Sequence, residues 1–201
     1  ALTAAAAAAS PAAQAEAVAA AQSTGVVDSG TCGKNLTWSL SSTGVLEISG
    51  SGEMENYTIN YAGSTTAPWK NYASSICSVV FAYGVSSIGR HAFYKFQDLK
   101  SIRFPNDNFS RLSTIGEGAF ECTGLTGTLS LPDRVSVIEG AAFSECVDLT
   151  RLSLPSSLTS IGSGAFCRCT GLTGPLAFPS DLESIGDRAF LSCYNMTGPL
   201  T

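Results

Sequence analysis

Short runs of alternating apolar and polar residues recur along the second half of the chain. The run with Leu152 and Leu154 has equivalents at Val79 and Phe81, Ile102 and Phe104, Leu129 and Leu131, and Leu176 and Phe178. This alternation places every second side chain on the same face of a β-strand. Four runs end at a proline, which ends a strand because it lacks the N–H that the ladder needs: Pro105, Pro132, Pro155 and Pro179. We therefore predict one short strand in each run.

A second motif, Ile-x-x-x-Ala-Phe, occurs five times, at residues 88–93, 115–120, 138–143, 161–166 and 185–190. Its phenylalanines are 27, 23, 23 and 24 residues apart, a period typical of a leucine-rich solenoid. We predict a leucine-rich repeat solenoid of the α/β type, mostly short parallel strands about 4.8 Å apart. A short helical turn would return the chain at each Ala-Phe pair. Extra residues around Asn106 to Phe109 predict a loop insertion in the longest interval.

The repeats follow a different N-terminal region. Two alternating segments, 36–40 and 45–48, flank the turn residues 41–44 and predict a β-hairpin. A solenoid needs a cap over its first repeat, so we assign residues 31–75 to an N-terminal hairpin cap and 76–201 to about five repeats, the last incomplete. Residues 1–30 form an alanine-rich segment and a linker. The segment is either the remnant of an export signal, with a small-x-small cleavage pattern at Ala13-Gln14-Ala15, or a spacer.

The run SLTSIGSGAFCRCTGL at 157–172 resembles the BspA-like leucine-rich repeat family of bacterial and protist surface proteins. Residues 29–54 and the segment APWKNY at 67–72 are similar to the hairpin cap that precedes such repeats. The resemblance implies a secreted or cell-surface protein that adheres to host matrix proteins or to other cells. The extensions TGTL at 126–129 and TGPL at 173–176 depart from the shorter form at 150–152, and we expect them to bulge the turn before the strand.

Composition limits the classes of partner. The chain has 201 residues, 44% apolar and 13% charged, with a net charge of −5. Nucleic acid is excluded as a partner because no cluster of lysine and arginine is present to neutralise phosphates. A membrane-spanning segment is excluded because no apolar run approaches the roughly 18 residues that it needs.

Seven cysteines are the most reactive side chains. Cys146, Cys169 and Cys193 each follow a repeat phenylalanine by three residues, and Cys122 follows one by two. Stacked repeats would place them in a column, where they serve as small buried thiols. The odd number of cysteines argues against a fully paired disulfide framework, although a bridge between Cys32 and Cys77 in the cap stays open. No Cys-x-x-Cys pair is present, so we expect no metal site.

Catalysis lacks its usual groups. His91, the single histidine, occupies a variable repeat position that we expect at the surface, and nucleophilic catalysis needs a base beside the nucleophile. The acids of the repeats lie on turns, where carboxylates are solvated. We therefore expect no catalytic residues, no cofactor and no enzymatic activity.

Two surfaces are candidate binding sites. One is the outward side of the strands, which solenoids commonly use for binding; we call it the strand face, formed by Ser101, Arg103, Thr128, Ser130, Arg151 and Ser153. The other comprises aromatic residues of the cap: Tyr57, Tyr61, Trp69 and Tyr72. These aromatics are either the cap core, as is usual, or an exposed patch that binds a partner.

The pattern favours an exported, non-enzymatic binding module, an adhesin-type surface protein that contacts a protein or glycan partner through its repeats. The alternative is a structural subunit that assembles with copies of itself. That hypothesis starts from Thr201, where the chain stops inside a predicted strand without a C-terminal cap.

Overall fold

The computed structural model describes residues 25–105 and 110–200. The alanine-rich segment 1–22, the insertion predicted around Asn106 to Phe109 and the chain end at Thr201 lie outside these residues. The described chain forms fourteen strands and a 3-10 helix at Lys70–Tyr72. The strands are β1 Val26–Gly33, β2 Leu36–Ser41, β3 Val45–Glu53, β4 Ser78–Phe81, β5 Gly84–Ile88, β6 Ser101–Arg103, β7 Thr114–Ile115, β8 Gly127–Ser130, β9 Val137–Ile138, β10 Leu149–Ser153, β11 Ser160–Ile161, β12 Gly174–Leu176, β13 Ser184–Ile185 and β14 Met196–Leu200.

The cap is an antiparallel meander of three strands. The predicted hairpin is present as β2 and β3, and β1 pairs with the outer side of β2. Residues 26–30, which the sequence assigned to a linker, are therefore part of a strand. Their sequence, Val-Val-Asp-Ser-Gly, shows no alternation, and Gly30 leaves room for the indole ring of Trp38 on the neighbouring strand.

Strand β3 joins the cap to the solenoid. Its first half, Val45–Ile48, pairs in parallel with β4, and its second half pairs in parallel with β5. From there each repeat carries two strands instead of the single strand predicted. The first ladder contains β3, β4 and β6, followed by the separate pairs β8–β10 and β12–β14. The second ladder runs without a break through β3, β5, β7, β9, β11 and β13.

The Ile-x-x-x-Ala-Phe segments are turns, so the prediction of a short helical turn is wrong. In the first of them the N–H groups of His91, Phe93 and Lys95 donate to carbonyl oxygens of the next repeat at 2.8–2.9 Å. Every second N–H group thus points along the solenoid axis to the next repeat. In a helix these groups would bond to carbonyl oxygens of the same segment. His91 and Lys95 adopt left-handed φ angles of 51° and 63°. The strain of such residues, about 1–2 kcal/mol each, is offset by hydrogen bonds between repeats.

A column of aromatic rings runs through the core. The phenylalanines of the five repeats stack with ring centroids 5.1–5.4 Å apart and ring planes within 10° of parallel: Phe93, Phe120, Phe143, Phe166 and Phe190. The first four are completely buried. Their spacing is close to the distance of about 4.8 Å between neighbouring strands, so each repeat adds one ring to the column.

Candidate binding surfaces

The six residues predicted for the strand face are all exposed on the first ladder. Their strand neighbours Ile102, Leu129 and Leu152 turn inward to the core. The pairing register of the strands arranges the outward side chains in two rows that run across the strands. Ser78 pairs with Ser101 and Thr128 pairs with Arg151, whereas Val80 pairs with Arg103 and Ser130 pairs with Ser153, so the two arginines lie in different rows.

The strand face is not one continuous sheet, because the first ladder breaks between β6 and β8. The N–H of Thr126 donates to the carbonyl oxygen of Lys100 at 3.2 Å, and beyond this hydrogen bond no pairing joins the two strands. At the same level Gly127 takes a left-handed φ of 73°, and the pairing of β8 with β10 shifts by one residue at Thr150. The extra residue of this shift, Thr150, lies in β10, whereas the bulge was predicted in the extension before β8.

A shallow groove of about 70 Å³ lies over the break. Its walls carry polar groups from both sides, and its floor is apolar. The lining residues are Lys100, Ser101 and Ile102 on one side, Thr126, Thr128 and Ser130 on the other, and Leu125, Leu129 and Leu149 below. The ammonium group of Lys100 donates one hydrogen bond to the carbonyl oxygen of Gln97 at 3.0 Å.

Ion pairs lie away from the strand face. The two found among the described residues, Arg90–Glu117 at 3.6 Å and Arg168–Glu145 at 2.9 Å, connect neighbouring turns. Within the described chain, Arg103 and Arg151 form no ion pair. Both side chains are exposed to solvent.

The cap aromatics do not form an exposed patch. Trp69 is completely buried and Tyr57 is 6% exposed, with ring centroids 5.7 Å apart in an edge-to-face contact. Tyr72 is half-buried, and its hydroxyl donates to Asp28 Oδ2 at 2.8 Å, which raises the pKa of Tyr72. The patch hypothesis is therefore wrong for these three residues, because their rings fill the junction between the cap meander and the first repeat. These three residues belong to the core of the cap, which was the other interpretation of the sequence.

Tyr61 is the exception, with its ring fully in solvent. It lies at the tip of a small loop closed by a bridge between Ile59 and Thr65. The side-chain oxygen of Asn60 accepts hydrogen bonds from the N–H groups of Ala62 and Ser64 at 3.0 and 3.1 Å. A defined backbone thus presents a single exposed ring.

Comparison with known protein families decides the classification. The model of the BspA type leucine-rich repeat region matches residues 70–197 in six copies. The chain belongs to this family. The six copies exceed the five motifs found in the sequence. The match begins at Lys70, directly after Trp69, which occupies the position of a repeat phenylalanine in the aromatic column.

Solved leucine-rich repeat proteins share the fold of this BspA-type chain. A leucine-rich repeat protein from Eubacterium ventriosum is 25% identical, with a TM-score of 0.70 over 84% of this chain and 43% of its own. A leucine-rich cell surface protein from Faecalibacterium prausnitzii is 22% identical, with a TM-score of 0.51 over 85% and 53%. The pneumococcal vaccine antigen PcpA is 18% identical, with a TM-score of 0.52 over 87% and 49%. The chain thus spans about half the length of these proteins. The search of curated proteins found no match.

Three cysteines of the BspA-type repeats form a column of thiols, buried at Cys146 and Cys169 and half-buried at Cys193. Cys122, predicted for the same column, lies outside it, with its thiol donating to Glu145 Oε2 at 3.6 Å. The Sγ atoms of Cys146, Cys169 and Cys193 each donate to the carbonyl oxygen of the phenylalanine one repeat earlier, at 3.1–3.2 Å. Thr123 fills the same position in the second repeat, and its hydroxyl donates to the carbonyl oxygen of Phe120 at 2.8 Å. Burial raises the pKa of Cys146 to about 12. These thiols are therefore protonated hydrogen-bond donors.

All seven cysteines, which lie within the described residues, are free thiols. The bridge considered between Cys32 and Cys77 is not formed, because the two residues lie at opposite ends of the cap hairpin. Cys32 is beside the turn that enters β2, and Cys77 bonds to Gly44 at the far end of that strand. A strand of six residues separates them by roughly 17 Å, and a disulfide needs Cα atoms within about 7 Å.

His91 is half-buried in the first turn, less exposed than the sequence suggested. Its ring lies against Tyr94 with centroids 5.7 Å apart, and burial lowers the pKa of the imidazole. Across residues 25–105 and 110–200, no group of three His, Cys, Asp or Glu side chains is arranged to hold a metal ion. In the same part of the chain, no helix is long and apolar enough to cross a membrane.

Proposed function

We propose that this chain is a non-enzymatic binding module of an exported surface protein, an adhesin-type module that contacts a protein or glycan partner through the strand face. One observation carries the proposal: Arg103 and Arg151 stand exposed on strands without acids and form no ion pair among the described residues. Arginine is a preferred residue of binding hot spots. The hydroxyl groups of Ser101, Thr128 and Ser130 surround them with further hydrogen-bonding groups.

Two observations support the location of the protein at the cell surface. One is the small-x-small pattern at Ala13-Gln14-Ala15, which suits export. The other is an analogy with solved relatives, of which one is called a cell surface protein and another a vaccine antigen. Such an analogy is associational, because one fold hosts many functions.

The test is a binding screen of the whole chain against purified matrix proteins and glycans, repeated with the double variant Arg103→Glu, Arg151→Glu. The matched control is Arg134→Glu, Arg188→Glu, which makes the same change in net charge at exposed positions off the strand face. We expect the strand-face variant to lose binding by tenfold or more and the control to keep it. Thermal unfolding monitored by circular dichroism verifies that both variants fold.

Two outcomes would contradict the proposal. Equal binding by both double variants would exclude the strand face as the contact surface. Regular oligomers of the unmodified chain in light scattering, combined with no hit in the screen, would favour self-assembly over adhesion.

A further inference from the structure

We propose that the strand face recognises an extended acidic peptide segment, which lies over the break between β6 and β8 with carboxylates facing Lys100, Arg103 and Arg151. The inference rests on the proposed function and narrows the partner from any protein or glycan to one chemical class.

Charge is segregated on this surface. Strands β4, β6, β8, β10 and β12 contain no Asp or Glu, although the chain as a whole has a net charge of −5. The nearest acids along the chain are Asp98, Asp133 and Asp148, in the turns before and after the strands, and Asp107, which lies outside the described residues. The one acid on the outward side of this ladder is Glu47 at its β3 edge, where it accepts a hydrogen bond from the Ser49 hydroxyl. The middle of the face thus presents cations to a partner.

The break in the ladder supplies the second argument. Strand β6 pairs only with β4, and β8 pairs only with β10. Along the described residues, the backbone groups of β6 and β8 that point into the break therefore lack a ladder partner. Unpaired edge groups of this kind are free to bond to an acceptor that enters the break. An aspartate or glutamate carboxylate stands at the end of a flexible side chain and can enter, whereas the acidic groups of a glycan are attached at a bulky sugar ring, so the break favours a peptide.

The groove is too small to admit a peptide backbone. Its volume of about 70 Å³ corresponds to roughly two water molecules, which suits a single carboxylate group. The peptide would therefore lie above the groove and direct one acidic side chain into it. There the carboxylate meets the ammonium group of Lys100, which keeps protons free besides the one donated to Gln97, and the hydroxyl group of Thr128. The Ser101 hydroxyl donates its one proton to Ser78 Oγ at 3.0 Å.

The two arginines bracket this position. Arg103 stands on β6, directly at the break, and Arg151 stands on β10, one strand beyond β8. That strand adds about 5 Å, which a long arginine side chain can span. Arginine binds carboxylates through two parallel hydrogen bonds. A segment with an acid at every second residue presents its carboxylates on one side, as this face requires.

The test measures fluorescence anisotropy of a labelled peptide of about ten residues in which glutamate alternates with threonine. The same peptide with glutamine at each glutamate position shows the contribution of charge. A heparin fragment and a hyaluronan oligosaccharide represent acidic glycans. Titrations between about 50 and 300 mM NaCl report how many charges take part.

We expect the glutamate peptide to bind, the glutamine peptide to bind at least tenfold more weakly, and both glycans to bind more weakly than the glutamate peptide. Arg103→Glu, Arg151→Glu should weaken binding by more than tenfold. Lys100→Gln should weaken it several-fold, whereas the control Arg134→Glu, Arg188→Glu should not change it. Circular dichroism establishes that each variant is folded.

Glycan affinity equal to or above that of the glutamate peptide would overturn the inference in favour of an acidic glycan. No binding of the peptide, or equal loss in the control variant, would also overturn it. These results differ from a failure of the proposed function. A partner from the screen that is lost in Arg103→Glu, Arg151→Glu would keep the strand face as the binding site while ruling out an acidic peptide.

Discussion

Trp69 stacks on Phe93 with their ring centroids 5.3 Å apart and their planes 18° from parallel. The indole N–H donates to the carbonyl oxygen of Ala92 at 2.9 Å. The cap thereby supplies the first ring of the aromatic column and satisfies a backbone carbonyl of the first repeat. In a solenoid each repeat contacts only its neighbours, so the fit of the cap to the first repeat governs how well the N-terminal end is held.

Replacing Trp69 by alanine should destabilise the protein by about 3–5 kcal/mol, because it leaves a large cavity in the core. Trp69→Phe keeps a stacked ring and loses the hydrogen bond to Ala92, and it should cost less. Urea unfolding measures both. Tyr61→Ala is the control and should stay within about 0.5 kcal/mol of the unmodified protein, because the Tyr61 ring is in solvent. Equal loss from Trp69→Ala and Tyr61→Ala would contradict the role of the cap ring.

Ala141 has a left-handed φ of 53°, at the turn position that Gly118 and Gly164 occupy in neighbouring repeats. Ala141→Gly should therefore stabilise the protein by about 0.5–1 kcal/mol, since glycine adopts this conformation without a steric penalty. The adjacent Ala142 is buried and has no left-handed φ, so Ala142→Gly should destabilise the protein. Thermal unfolding compares the two, and a loss of stability in Ala141→Gly would refute the argument from backbone strain.

The buried thiols make stability depend on alkaline pH. The pKa of Cys146 is raised to about 12 by burial, so the folded state holds this proton more tightly than the unfolded state. The contribution of this protonated thiol to the free energy of unfolding is fully present below the pKa of the unfolded cysteine, about 8.5. It is lost as the pH rises from there towards the folded pKa of about 12. We expect urea midpoints to fall above about pH 8.5, and to fall less steeply in Cys146→Ala. Parallel slopes in the two proteins would show that other groups cause the decline.

Thiol reagents give an independent measurement on the same cysteines. Cys77 is exposed, whereas Cys146 and Cys169 are buried and hydrogen-bonded. In the native protein a maleimide should modify Cys77 well before the two buried thiols, because the thiolate is the reactive form and burial suppresses it. Mass mapping of the modified peptides identifies the order. Rapid labelling of Cys146 would contradict the closed core.

His91, the single histidine, should make stability depend on mildly acidic pH. Burial lowers the pKa of its imidazole, so the unfolded state binds the proton more readily. Its contribution to stability is present above the unfolded pKa of about 6.5 and is lost as the pH falls through the lower folded pKa. An NMR titration of the imidazole should give a pKa below 6.5. His91→Asn, which tolerates the left-handed φ, should remove the change in stability between pH 7 and 5.

The sequence predicted the first ladder and the aromatic core because their signals are regular. Leu152 and Leu154 alternate with polar residues, and the repeat phenylalanines recur at a steady interval. Both patterns can therefore be recognised from the sequence alone. The second ladder was missed because a two-residue strand such as Val137–Ile138 is too short to show alternation. The turns resembled helices because local spacing does not reveal that N–H groups such as that of Phe93 bond to the next repeat.

The binding surfaces were predictable to different degrees. Alternation alone places Arg103 and Arg151 on the outward side of their strands, as the structure has them. The break beside Lys100 depends on how far two neighbouring repeats diverge, which single-sequence patterns do not encode. Which aromatic residues of the cap are buried and which are exposed also depends on the three-dimensional arrangement of the chain. Tyr57 and Tyr61 are only four residues apart, yet one ring enters the core while the other extends from a loop whose shape depends on Asn60.

The two ladders differ in continuity, and this difference sets how the solenoid responds to bending. The second ladder joins every described repeat to the next, from β3 to β13, and so resists stretching on its side. The first ladder is divided into three parts, joined at their breaks by isolated hydrogen bonds, Thr126 to Lys100 and Thr173 to Thr150, and these parts separate more easily than continuously paired strands. Bending should therefore open the strand face while the opposite side keeps its length. A load applied along the axis would change the curvature of the molecule before it separated any pair of repeats.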